Sequence, residues 1–137
     1  MRSKMFVGAF LVLAVLAVGA VATSGDPAAA RQSAVVYVVQ PTLIGSTIVE
    51  GPVLFTHDDG RMRRGEPCTT VYLFEPGRGP AEEIASFHCI PTRRSIVSHF
   101  TMRTRPNEQL GYGCVLTEYQ FAGDAEGHGV PLEVRAH

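Results

Sequence analysis

The chain has 137 residues, of which 45% are hydrophobic, with 12 basic and 13 acidic side chains. This length suits one small domain with its own core and excludes a multidomain enzyme. The near-neutral charge provides no basic surface for nucleic acid, so we expect no nucleic-acid partner.

Residues 1–22 have the pattern of a secretory signal peptide. A basic start, Met1-Arg2-Ser3-Lys4, precedes an uncharged apolar run that ends in Ala20-Val21-Ala22. Because this run reaches the lower length limit of a membrane-spanning helix, about 17 residues, an uncleaved anchor is the alternative. Residues 23–34 are small and polar, which predicts a flexible tether. We therefore expect an exported protein, periplasmic or extracellular, that touches a membrane only if the leader is retained.

Residues 35–137 are predicted to form a β-rich domain. Short runs of β-branched and aromatic residues are bounded by Gly and Pro, and no long helical periodicity interrupts them. The pattern favours a single small antiparallel sheet, or a sandwich or barrel-like domain. The predicted strands cover residues 34–39, 43–50, 52–57, 68–75, 82–90, 95–104, 110–121 and 130–135. The polar connection 57–67 is long enough for a helical turn.

Turn sequences at residues 76–80, 91–94 and 105–109 predict three successive antiparallel hairpins. Pairing about the first turn places Cys68 opposite Cys89. Pairing about the second makes His88 and His99 diagonal neighbours on adjacent strands. One face of this sheet then forms the predicted core, with Phe87, Cys89, Ile96, Phe100, Met102, Tyr112, Cys114 and Leu116.

Three cysteines in an exported chain allow one disulfide bond and leave one thiol. The register predicts a bond between Cys68 and Cys89, with Cys114 as a free thiol buried in the core. The alternatives are a cysteine that binds a metal ion and a reactive cysteine.

The histidines suggest a metal site. His88 and His99 are the candidate pair for a transition metal such as zinc or copper, and His57 or Asp58 from the long loop would complete the coordination. No compact zinc motif accompanies them. The alternative is that these histidines only hydrogen-bond to their neighbours and that the protein has no cofactor.

The sequence contains no nucleophile elbow, phosphate-binding loop or H-E-x-x-H motif, so we assign no catalytic residue. The first expectation is an exported, non-catalytic binding or structural domain of the bacterial cell envelope, whose partner would be an envelope protein or a small ligand. The second is an exported metal-binding protein that uses His88 and His99. The third is a small hydrolase-type enzyme.

Overall fold

The computed structural model describes residues 31–131, so the predicted signal peptide, most of the predicted tether and residues 132–137 lie outside it. Within this range the chain is mainly β, as predicted, with eight strands and one short helix. No helix of the described range is long and apolar enough to cross a membrane. The elements are β1 (Arg31–Ile44), β2 (Thr47–Asp58), α1 (Asp59–Arg63), β3 (Thr69–Glu75), β4 (Gly79–Phe87), β5 (Ile90–Arg93), β6 (Thr101–Pro106), β7 (Cys114–Gln120) and β8 (Glu126–Gly129).

The strands form one curled sheet that resembles half of a barrel. Their order is β4-β3-β2-β1-β7-β8-β5, and β6 pairs with β7 outside this order. The sheet is mixed, whereas one of the predicted arrangements was purely antiparallel. The parallel contact joins Thr42 and Leu43 of β1 to Cys114 and Val115 of β7.

The first hairpin of the sheet turns inside a segment that was predicted as one strand. The sequence suggested an unbroken strand over residues 43–50, but β1 ends at Ile44 and a turn at Gly45 and Ser46 leads into β2. Gly45 has a φ of 64°, a left-handed conformation that glycine adopts without a steric penalty. At its other end β1 already begins at Arg31, inside the segment predicted as a tether.

The hairpin predicted between residues 82–90 and 95–104 is wrong. Residues 91–93, predicted to turn, belong to β5, and β5 pairs with β8 through contacts such as Pro91 with His128. The last predicted hairpin does form between β6 and β7, but Thr101 pairs with Gln120, so the pairing is shifted by several residues. As a result Ile96 and Tyr112 are 70% and 58% exposed, while Tyr119, predicted on the opposite face, is fully buried.

The core contains a cluster of packed aromatic rings. Phe55 in β2 is completely buried, and its ring lies 5.0 Å from that of Phe100 and 5.1 Å from that of Tyr119. The other buried members of this cluster are Val38, Ile44, Val49, Val53, Cys68, Val71, Ala85, Phe87, Cys89, Leu116 and Phe121.

The helical turn predicted in the polar connection is confirmed as α1. Asp58 caps this helix, because its Oδ1 accepts hydrogen bonds from the backbone N–H groups of Gly60 and Arg61 at 2.8 and 3.1 Å. The backbone N–H of Asp58 also donates to the carbonyl of Cys68 at 2.9 Å. The connection therefore returns on itself and places Cys68 beside the end of β2.

The close approach of β1 and β7 requires a glycine at position 113. Gly113 has a φ of 70°, and a Cβ atom there would lie 2.4 Å from the backbone oxygen of Pro41. Gly113→Ala should therefore cost about 1–3 kcal/mol for the overlap in addition to roughly 1–2 kcal/mol for the left-handed backbone. Gly111→Ala is the control, because Gly111 has a φ of 73° with open space around it. Equal urea midpoints for the two variants would contradict this account.

Candidate metal centre

Two histidines and two cysteines converge at one buried point of the half-barrel. His57 lies near the end of β2, Cys68 immediately precedes β3, Cys89 lies between β4 and β5, and His128 lies in β8. All four side chains are buried.

The chain positions these residues by strand pairing. Phe87 pairs with Thr69 at the end of the β3–β4 hairpin. Cys89 follows Phe87 by two residues and Cys68 directly precedes Thr69, so this pairing brings the two cysteines together. His57 pairs with Thr69 across the β2–β3 ladder, next to Cys68. His128 comes from the far end of the chain, because β8 pairs with β5 directly after Cys89.

Cys89 is at the centre of the cluster. Its Sγ lies 2.9 Å from Cys68 Sγ, 3.4 Å from His57 Nε2 and 3.6 Å from His128 Nδ1. The ligand atoms of His57, Cys68 and Cys89 all lie within 4.8 Å of one another. In a tetrahedral zinc site with bonds of about 2.0–2.3 Å, neighbouring ligand atoms are roughly 3.3–3.8 Å apart. These three donors therefore need only small shifts to surround one ion. His128 is close to Cys89 but is not part of this mutually close group, so its ring would have to move towards the other donors to become a fourth ligand.

Two imidazole nitrogens of the cluster lack a hydrogen bond. His57 Nδ1 and His128 Nε2 are buried and find no hydrogen-bond partner within residues 31–131. Buried polar atoms normally have a partner. The two unpaired nitrogens are not the ones that contact Cys89, which are His57 Nε2 and His128 Nδ1. His57 Nδ1 does face a charge, since Asp59 Oδ1 lies 3.3 Å away. Glu126 Oε1 lies 3.7 Å from His128 Nδ1.

The electrostatics of the cluster favour one thiolate. A hydrogen bond from the Cys89 thiol, aided by His57, holds the pKa of Cys68 well below its usual value despite burial. The hydrogen bond with Cys68 and burial both raise the pKa of Cys89. Burial alone would lower the pKa of His57, but the hydrogen bond and negative charge of Cys68 outweigh it and raise that pKa. Burial, followed by the charge of His57, lowers the pKa of His128 to about 4. A divalent cation would compensate the thiolate and displace the remaining protons.

Aromatic packing fixes the orientation of His128. The ring of Tyr119 stacks on it with centroids 4.9 Å apart and an interplanar angle of 21°. The Tyr119 hydroxyl in turn hydrogen-bonds with the hydroxyl of Thr69 in β3. The imidazole is therefore held between β7 and the cysteine pair.

The predicted histidine pair lies elsewhere. His88 and His99 are both exposed, and neither belongs to the group of closely spaced metal-binding side chains found in the described range. His88 points outward because Phe87 and Cys89 on either side of it point inward. The hairpin that placed His88 beside His99 is not formed. Metal binding by these two residues stays a prediction, now without its register argument.

The other two predicted ligands, His57 and Asp58, have different roles in the structure. His57 is part of the cluster, whereas Asp58 caps α1 and lies 3.1 Å from Arg31 Nε through its Oδ2. The acidic neighbour of His57 is instead Asp59. Sequence reasoning assigned neither Cys68 nor Cys89 to the metal site and did not single out His128 as a ligand.

The structure does not show the predicted disulfide bond. Cys68 and Cys89 lie side by side, as the register indicated, but both are free, and their 2.9 Å separation is longer than the 2.05 Å of a disulfide. Cys114 is also free and buried, and its Sγ contacts Thr42 Oγ1 at 3.2 Å, away from the other two thiols.

The cluster has to be interpreted from its own geometry. Comparison of the chain with protein-family models, with curated proteins and with solved structures finds no match.

Proposed function

We propose that the protein binds one zinc ion through His57, Cys68, Cys89 and His128. The observation that carries this proposal is a buried cluster in which Cys68 Sγ, His57 Nε2 and His128 Nδ1 all lie within 3.6 Å of Cys89 Sγ. Two sulfur and two nitrogen ligands form a common structural zinc set, and these donor types favour zinc over metals that prefer oxygen ligands.

The four protein ligands favour a stabilising role for the ion over a hydrolytic one. A catalytic zinc site keeps one position open for water or substrate, whereas a structural site is closed by four side chains. The buried cluster of His and Cys side chains weighs against the expectation of a binding domain without a metal. The leader sequence supports export, and we propose that the zinc domain functions outside the cytoplasm.

Zinc titration of protein purified without a histidine tag tests the proposal. We expect one zinc ion per chain and retention against a weak chelator. His57→Ala should lose this ion, because it removes a donor from the cluster. His88→Ala combined with His99→Ala is the matched control, since it removes two exposed imidazoles and should leave binding unchanged. Loss of zinc in the control and retention in His57→Ala would overturn the proposed site.

Asp59 should tune the affinity for zinc. A carboxylate on the free nitrogen of a ligating histidine orients the ring and increases its basicity, and removing such a partner typically costs 10–100-fold in affinity. We expect Asp59→Asn to weaken zinc binding by about 10–100-fold in chelator competition. Glu75→Gln removes the same charge from a distant exposed strand end and serves as control. Equal affinities for the two variants would show that Asp59 does not support His57.

A further inference from the structure

The two cysteine sulfurs occupy an intermediate position between two chemical states. Their separation of 2.9 Å lies between the 2.05 Å of a disulfide bond and the roughly 3.8 Å expected for two thiolates on one zinc ion. A movement of about 1 Å or less leads to either state. The two states exclude each other, because sulfur in a disulfide has lost the thiolate charge that binds zinc.

A small pocket reaches one member of this cysteine pair, Cys68. It has a volume of about 290 Å³, and both Cys68 and His57 contribute to its lining, whereas Cys89 does not. Cys68 is only 3% exposed, so a small oxidant fits the opening better than a bulky disulfide. Arg61 and Thr70 line the same pocket and are hydrogen-bonded to each other at 3.4 Å. Their N–H and O–H groups can donate to an oxygen that leaves as an alkoxide.

We propose that Cys68 and Cys89 form a redox pair, and that their oxidation by a small hydroperoxide releases the zinc ion. This inference rests on the proposed function for the ion that is released. Cys114 takes no part, because it lies beside Thr42 and away from the pair.

The reaction has two steps. The Cys68 thiolate attacks the hydroperoxide, the O–O bond breaks, and sulfenic acid forms as the alkoxide takes up a proton and leaves as an alcohol. The Cys89 sulfur then attacks the sulfenic sulfur, the S–S bond forms, and the S–O bond breaks as water leaves. Overall, the two zinc-bound thiolates, one hydroperoxide and two protons from solvent give one disulfide, one alcohol, one water and a free zinc ion. Zinc loses both thiolate ligands and dissociates.

Treatment of the zinc-loaded protein with hydrogen peroxide tests this inference. A chromogenic chelator reports zinc release, and mass spectrometry of the digested protein locates the disulfide. We expect one zinc ion released per chain, with Cys68 and Cys89 joined and Cys114 still reduced. Thiol reductant should restore zinc binding. Cys114→Ser should behave like the unchanged protein, whereas Cys89→Ser should stop at sulfenic acid on Cys68.

The outcomes separate this inference from the proposed function. If zinc is bound but peroxide leaves the Cys68–Cys89 pair reduced, or joins Cys114 instead, the redox inference is wrong and zinc binding stands. If the chain takes up no zinc and peroxide still joins Cys68 to Cys89, the redox pair is supported and the proposed function is contradicted. A bulky aromatic disulfide that reacts with Cys68 as fast as peroxide would contradict access through the small pocket.

Discussion

Cys89→Ser should lower the affinity for zinc by at least about 100-fold. This effect should exceed that of replacing Asp59, which contacts a ligating histidine and not the ion. Cys89 Sγ contacts the donor atoms of Cys68, His57 and His128, so its replacement removes the central ligand of the cluster. Zinc at about 1,000 times the Kd of the unchanged protein stabilises that protein by about 4 kcal/mol, and a 100-fold weaker affinity should lower this stabilisation by roughly 2.7 kcal/mol. Thermal unfolding with and without added zinc measures this difference.

Cys114→Ser is the matched control, because Cys114 is equally buried but lies beside Thr42. It should keep its zinc-dependent increase in Tm. If Cys89→Ser retains the increase while Cys114→Ser loses it, the metal lies elsewhere in the chain.

Phe55→Ala should destabilise the domain by about 3–5 kcal/mol, the usual cost of removing a large aromatic side chain from a well-packed core. Phe55 is completely buried and packs against the rings of Phe100 and Tyr119. Because Tyr119 also stacks on His128, the cavity should loosen the cluster and weaken zinc binding.

Urea unfolding of the zinc-free protein measures the first effect without the contribution of the metal. Tyr37→Ala is the control, since Tyr37 is 69% exposed on β1 and its loss should change stability by no more than about 0.5 kcal/mol. If Phe55→Ala costs no more than this control, Phe55 is not the centre of the core.

Part of the site could be predicted because it depends on local hairpins. The turn at residues 76–78 fixes the β3–β4 register closely enough to bring Cys68 and Cys89 together, although the actual ladder is offset by one residue and contains bulges. A similar treatment of the connection after β2 would have placed His57 beside Cys68, since this connection also closes an antiparallel hairpin.

The remaining part depends on pairing between distant segments. His128 reaches the cluster because β8 pairs with β5, and neither the Pro91–Arg93 segment nor the Glu126–Gly129 segment has the β-branched pattern of a strand. Residues 91–94 were predicted as a turn, and residues 126–129 lie outside every predicted strand, since proline and glycine dominate the local preference of the two segments. Tertiary pairing overrides that preference here. The prediction that His88 and His99 form a metal-binding pair lost its basis in the same way. It assumed that each strand pairs with the next strand along the chain.

X-ray absorption spectroscopy of the zinc-loaded protein tests the central claim most directly, because it identifies the atoms bound to the ion. The account predicts two sulfur atoms at about 2.3 Å and two imidazole nitrogens at about 2.0–2.1 Å, with both sulfur atoms absent in the double variant Cys68→Ser and Cys89→Ser. A coordination sphere of nitrogen and oxygen alone in the unchanged, reduced protein would contradict it.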